Sequence, residues 1–471
     1  MGRRFLVIIF IIALLIAAVG ALVYWQMTPS VIALTPLDGA ENIPANTKFS
    51  ITFSRPMKPD TVIKRLTFDP SRSGDFTWQD NTLVFTPDEP WSNSKTIQVR
   101  LAPGAQAKGV VSLPTRQASA WSFTTGEPRL VYLYPADGPA NIYALNPSTG
   151  ESVQLTNFPG GILGYDVDSS GSMLYFSRKT GQNGSSIYRL AINDETQSEP
   201  QELISCPRAT CRAPSISPLG DYLAYERTAL VGEDDPAYPQ VWLLPLPPDI
   251  ETGFERLEPF KAGEPLHQTL QPHWSYSGLL TFYDTSQNAF VILDPVVGET
   301  VLFPNQTGQP GNWHPSGDSY TAAEIFFIEI EASDETAGLD QIGSSHLMLF
   351  DLSDQSIEDL TQMDNLEDTA PAFSPDGNWL AFARKYLDIQ KWTPGRQLWL
   401  MDIENRKSAQ LTNNPIYNHF EFSWDPTGSQ LAFVRFNQTQ PVEPPEIWVI
   451  DPNTTLTRPI VVGGYAPQWI P

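Results

Sequence analysis

One short segment recurs through the C-terminal two-thirds of the chain: a large apolar residue, a glycine turn four positions later, then an apolar strand. It reads YDVDSSGSMLYFSR, PSISPLGDYLAYER, PHWSYSGLLTFYD, NWHPSGDSYTAAE, PAFSPDGNWLAFAR and FSWDPTGSQLAFVR. The glycines are Gly171, Gly220, Gly278, Gly317, Gly377 and Gly428, and the residues four positions earlier are Val167, Ile216, Trp274, Trp313, Phe373 and Trp424. Such a repeat constrains the fold strongly, because one unit cannot bury its apolar faces alone and must stack on its neighbours. After each turn comes a third strand (SIYRLAIN, QVWLLPL, FVILD, LMLFD, LWLMD, IWVID) and then a shorter fourth, such as AQLT from Ala409. Each unit reads as a four-stranded antiparallel sheet of about 40–60 residues, the size of a propeller blade. The glycine has a local cause too, since the hairpin needs a residue tolerant of positive φ.

The chain ends supply one more unit. YAPQWIP at the C-terminus repeats a first strand, with Trp469 in the place of Trp424, and stops. RLVYLY and NIYALNPSTGE, after residue 128, supply second and third strands with no first. Joined, they make a seventh blade, and the ring closes without free sheet edges. The recurring SPDGxxLAF pattern resembles the TolB-type, WD-like propeller repeats over nearly all of 129–471. Phe373–Phe382 is its nearest match, and the unit around Gly317 departs most, with SYTAAE in place of LAF. Family members are often six-bladed, so six blades with one degenerate unit is the alternative count. The resemblance implies binding rather than chemistry, because propellers host many unrelated functions.

Residues 5–25 carry no charge; as a helix these 21 residues reach roughly 31 Å, enough to cross a bilayer core. Arg3 and Arg4 precede the run, and no charge follows until Asp38. The positive-inside rule keeps the N-terminus in the cytoplasm, so residues 1–29 are expected to be a cytoplasmic tip and single-pass signal anchor in the cell membrane. The competing reading is a cleaved signal peptide, with Val19 and Ala21 before the cut. Either places the bulk of the chain outside the cytoplasm.

Between anchor and repeats, residues 30–126 alternate in short runs split by turn residues, with a spacing suited to a β-sandwich. TPLDGAENIPANTKFSITFSRPM and the terminal WSFTT resemble bacterial Ig-like domains of cell-surface and S-layer proteins. The resemblance implies a spacer or adhesion module without catalytic residues. Phe49, Ile51, Phe53, Leu83, Phe85, Trp121 and Phe123 fit one buried face. Trp78 and Trp91 are expected in the core, the alternative being sugar-stacking surface rings. The fold class is thus all-β: a transmembrane helix, an Ig-like sandwich at 30–126 and a seven-bladed propeller at 129–471, closed by its terminal strands.

Charge and motifs narrow the function. With 29 Lys+Arg against 53 Asp+Glu the net charge is −24, which disfavours nucleic acid, whose phosphates need clustered cations. Cys206 and Cys211 in SCPRATCR are expected to form a local disulfide in an oxidising compartment. The sequence has no GxSxG, HExxH or Walker lysine motif. His273 and His314 lie near successive turns, where they could face the central channel, but the sequence names no third metal ligand. Asp166–Gly171 opens like a calcium loop, yet Ser177 stands where the closing Glu is required. No cofactor is expected; calcium held in another manner is the residual alternative.

Four connections between second and third strands are long: 228–240, 329–346, 385–397 and 436–446. They gather acids (Glu233, Asp234, Asp235, Asp334, Glu335) and aromatics (Tyr238, Tyr386, Trp392) on one rim. Loops on a rigid scaffold often carry function, so Tyr238, Asp234, Asp235, Tyr386 and Trp392 are the candidate binding residues. The expected partner is a protein, a peptide or a cell-envelope glycan. The alternatives are solvated insertions without a partner, a glycan hydrolase or lyase using carboxylates at the channel mouth, and a sensory or assembly role in the membrane.

Overall fold

In the computed structural model, residues 28–471 are described apart from 46, 89, 110–111, 182, 193–198, 231, 233–235, 247–257 and 331–339; for 327–330 and 340–342 the backbone alone is described. The apolar run at 5–25 lies outside the described residues. Among those described, no helix is long and apolar enough to cross a membrane. The chain divides into two compact units, one ending at Glu127 and the other beginning at Pro128.

The first unit is a sandwich of two four-stranded sheets. One orders Val31–Thr35, Phe49–Phe53, Thr82–Pro87 and Gly74–Gln79; the other orders Ala40–Ile43, Ser119–Thr125, Thr96–Leu101 and Leu66–Asp69. Alternation decides which side chains go inside: TIQVRL buries Ile97, Val99 and Leu101 and exposes the residues between. Phe49, Ile51, Phe53, Leu83, Phe85 and Phe123 all enter the core. Trp121 is half-buried and packs against it, so it belongs to the border of the face expected for it. Trp91 is fully buried, and its indole donates to the Thr47 carbonyl at 2.8 Å. Trp78 is half-buried against Phe53. A short helix, Pro59–Ile63, interrupts the strands and sets Val62 in the core.

The second unit is built from four-stranded antiparallel groups, each named here by its innermost strand. Ile162–Val167, Ala209–Ile216, Thr269–Trp274 and Tyr417–Trp424 each begin a separate sheet. Asn312–Trp313 and Leu366–Phe373 begin two groups joined into one sheet by a parallel bridge, Ser345 to Glu367. The last strand, Tyr465–Ile470, pairs antiparallel with Arg129–Tyr134, and Asn141–Leu145 and Ser152–Gln154 complete that sheet. The chain end therefore supplies the inner strand to the start of the unit. Second strands are apolar on both faces because each sheet is packed from both sides: Phe176, Phe282, Phe382 and Phe433 are buried, each worth about 1.5–3 kcal/mol of transfer free energy.

All six turn glycines of the repeat have positive φ, between 70° and 91°. At Gly377 a Cβ would also meet the His314 ring at 2.3 Å, so that turn excludes any side chain. Of the stretch 329–346, expected as a loop, the described residues 329–330 and 340–346 are strand. Ser319–Ile330 and Asp340–Asp351 form a hairpin of 12-residue arms whose ladder runs out to Ile330 opposite Asp340.

Candidate functional site

Inner strands of most neighbouring groups touch, and each of the long ones breaks register once. At five of these breaks a non-glycine residue takes the left-handed conformation: Ala213, Gln271, Ala370, Glu421 and Ala466, with φ between 48° and 59°. Four of the five precede proline, as AP, QP, AP and AP. A β-bulge of this kind turns the backbone outward from the ladder, freeing it to bond sideways.

Those sideways bonds tie group to group. Asp166 Oδ2 accepts from the Ile216 N–H at 2.8 Å, Asn312 Oδ1 from the Phe373 N–H at 2.9 Å, and Ser423 Oγ from the Trp469 N–H at 3.2 Å. Trp274 and Trp424 donate their indole N–H to the carbonyls of Ser215 and Ala372. The last strand is held from both sides. Ala466 N–H donates to Glu421 at 2.7 Å, while Gln468 donates to Asp166 at 2.9 Å and the Tyr165 hydroxyl to the Ala466 carbonyl at 2.5 Å.

This girdle perturbs its ionisable groups. Burial raises the Asp166 carboxyl to about 6, against the lowering effect of its three donors. Burial also raises Glu421. His273, one residue before Trp274, is reached by water, yet desolvation lowers it to about 4, as befits a side chain on an inner strand with protein all round. Both Asp166 oxygens are occupied by donors from its own and adjoining groups, so this perturbed carboxylate works as a strut. His314 packs edge-on against Phe373 in its turn and does not join His273 through any bond among the described residues.

On the loop side, Asp234 and Asp235 lie outside the described residues, as do Glu233, Asp334 and Glu335. Tyr238 is half-buried, and its hydroxyl donates to the Leu266 carbonyl at 2.6 Å, which ties the ring to the chain before the next inner strand. Tyr386 ends a second strand, and Trp392 follows in the connection, 52% exposed. Two cation–π pairs interlock there: Lys385 over Trp392 at 4.6 Å and Lys391 over Tyr386 at 5.0 Å. Tyr386 and Trp392 thus share one structured loop, whereas Tyr238 belongs to a different group. Cys206 and Cys211 are disulfide-bonded, and both are buried.

A second pattern was present in the repeats but escapes a search for known motifs. The residue four after the leading apolar position of the second strand is Arg178, Arg227, Arg384 or Arg435, each stacked on an aromatic ring: Tyr188, Trp242, Trp399 and Trp448, at 3.8–5.2 Å. Arg384 is also forked onto the fully buried Asp368 at 2.7 and 2.6 Å. In the Thr269 and Asn312 groups the same position is acidic, Asp284 and Glu324. Asp284 is paired with His267 at 2.7 Å. Glu324 accepts from the backbone of Gln306 and Ile325 and has no cationic partner among the described residues.

This arrangement of inner-strand girdle and radiating antiparallel sheets defines a β-propeller preceded by a β-sandwich. Residues 26–125 match the family described as bacterial Ig-like domain. The chain resembles a prolyl endopeptidase structure with TM-score 0.51 and 13% identity over 70% of this chain and 48% of that one, a likeness of fold alone. Also similar are a putative TolB from Agrobacterium tumefaciens (TM-score 0.38, 13% identity, 72% of this chain and 91% of that one) and TolB from Acinetobacter baumannii (TM-score 0.42, 11% identity, 86% and 83%). A search of curated proteins returned no match. The chain carries a bacterial Ig-like domain followed by a propeller with TolB structures among its neighbours in fold.

Proposed function

We propose that this is a membrane-anchored, extracytoplasmic recognition protein. The Ig-like domain is its spacer, and the propeller, read as seven blades closed by the terminal strands, binds a protein, peptide or envelope glycan through its loop face. The anchor reading rests on the uncharged run at 5–25 behind Arg3 and Arg4. The blade reading is supported by the four-stranded groups and by the pairing of Tyr465–Ile470 with Arg129–Tyr134.

The observation that carries the binding role is Trp392. The connection holds Trp392, 52% exposed, and Tyr386 in place through Lys385 and Lys391, so an ordered segment presents two aromatic rings together. The test compares immobilised residues 28–471 with the Tyr386→Ala/Trp392→Ala variant in capture from envelope extract. The expected result is about tenfold less of the specific captured species with unchanged melting. Equal capture by both would overturn the assignment of this face.

A further inference from the structure

The Asn312 group has an inner strand of only two residues, Asn312–Trp313, where the other inner strands have six or eight. Its second strand, Ser319–Ile330, is by contrast among the longest in the molecule. The ladder between them stops at Thr321 opposite Asn312. In the Ala209, Leu366 and Tyr417 groups the equivalent stretch is paired throughout: Arg227 with Cys211, Arg384 with Asp368 and Arg435 with His419, each followed by two further pairs. At Glu324–Phe326 that inner partner is missing.

What stands there instead is a cleft of about 830 Å³, lined by Asn288, Gln306, Glu324, Ile325 and Phe326 among others. Side chains cap part of the open edge: Asn305 Nδ2 and Thr307 Oγ1 donate to the Ala323 carbonyl, and the Ile325 N–H rests on the carboxylate of Glu324. Phe326 is 37% exposed at the end of the cleft. The chemistry is acidic. Glu324 replaces the arginine found at this position in four other groups.

We infer that this cleft takes an extended, lysine- or arginine-bearing segment of a partner protein, which adds as the missing length of inner strand beside Glu324–Phe326. Strand addition would come from a main-chain hydrogen bond to the Ile325 carbonyl and from displacing the Glu324 carboxylate from the Ile325 N–H, which frees Glu324 to receive a cationic side chain, with Phe326 offering a ring beside it. The charge of the site selects a basic segment over an acidic one. This rests on the reading of the propeller as a recognition module and names a second place on it, apart from the loop bearing Trp392.

The test uses residues 28–471 with a fluorescent (Lys-Thr)4 peptide as probe, and (Glu-Thr)4 and (Gly-Ser)4 as comparisons, read by anisotropy at low and physiological salt. Amide hydrogen exchange then reports Ile325. The inference predicts binding of (Lys-Thr)4 alone and added protection at Ile325. It also predicts about tenfold weaker binding in Glu324→Gln, with wild-type binding in Asp351→Asn, which controls for the protein's overall negative charge. Ile325→Pro, which removes the edge N–H, should abolish (Lys-Thr)4 binding in the anisotropy assay; melting curves show whether either variant folds. Equal weakening in both charge variants, or binding without protection at Ile325, would overturn the inference. Loss of envelope capture in Tyr386→Ala/Trp392→Ala with (Lys-Thr)4 unbound by wild type would sink this site and leave the general recognition role standing.

Discussion

Gln468, in the last strand, donates through Nε2 to Oδ1 of Asp166 at 2.9 Å across a sequence separation of 302 residues. The same carboxylate accepts the Ile216 N–H through its other oxygen, so one side chain joins the closing strand to two neighbouring groups. Closure is thus fixed by a polar strut as well as by the ladder of Tyr465–Ile470 on Arg129–Tyr134.

That strut is proton-linked. In the folded protein the Asp166 pKa stands at about 6, above its ordinary 3.8. The folded state therefore binds the proton more tightly, and this group's contribution is fullest below about pH 4 and falls as pH rises to about 6. Thermal melting from pH 4 to 7 should show a slope in wild type that Asp166→Asn flattens, the difference amounting to about 1–3 kcal/mol. An identical slope in both proteins would refute the assignment.

Asp368→Ala should destabilise the propeller by about 3–5 kcal/mol, because it strands the buried Arg384 guanidinium without its carboxylate. Replacing both partners, as Asp368→Leu/Arg384→Met, should recover most of that loss in urea titration. If the double replacement is as damaging as the single one, packing against Trp399 rather than charge dominates the site.

The left-handed bulges carry strain that glycine relieves. Ala213→Gly or Ala370→Gly should be neutral or stabilising, by up to about 1 kcal/mol, although glycine in a strand ordinarily weakens it. Destabilisation by more than about 1 kcal/mol would mean that the methyl group packs in a way the backbone argument ignores.

Removing the disulfide with Cys206→Ser/Cys211→Ser should lower stability by about 2–4 kcal/mol, since a short loop loses its constraint and two buried sulfurs give way to hydroxyls. Calorimetry with and without reductant on the wild type checks the same point. No change under full reduction would place the constraint elsewhere in that hairpin.

The repeat was legible because hairpin glycines and double-faced apolar strands are local requirements, and Trp469 announced the borrowed inner strand by matching Trp424. The bulges left a mark as well, the recurring AP and QP before the leading apolar residue, but a left-handed alanine before proline contradicts local preference and only tertiary bonding reveals it. The departure of SYTAAE from its siblings was visible; that it marks a truncated inner strand and an open edge was not, because the ladder depends on pairing. Asp166 drew notice in sequence only as the opening of a calcium-like loop and Glu421 was one among 53 acids, since what distinguishes them is a donor from a strand hundreds of residues or one group away. Tyr238 looked like a free ring in sequence and is half-buried with a bonded hydroxyl in the fold.

Deleting residues 465–471 tests the closure most directly. The account predicts that the propeller loses about 10 °C or more in melting temperature, and that amides of Arg129–Tyr134 exchange rapidly once their partner strand is gone. Unchanged melting together with retained protection at Arg129–Tyr134 would contradict it.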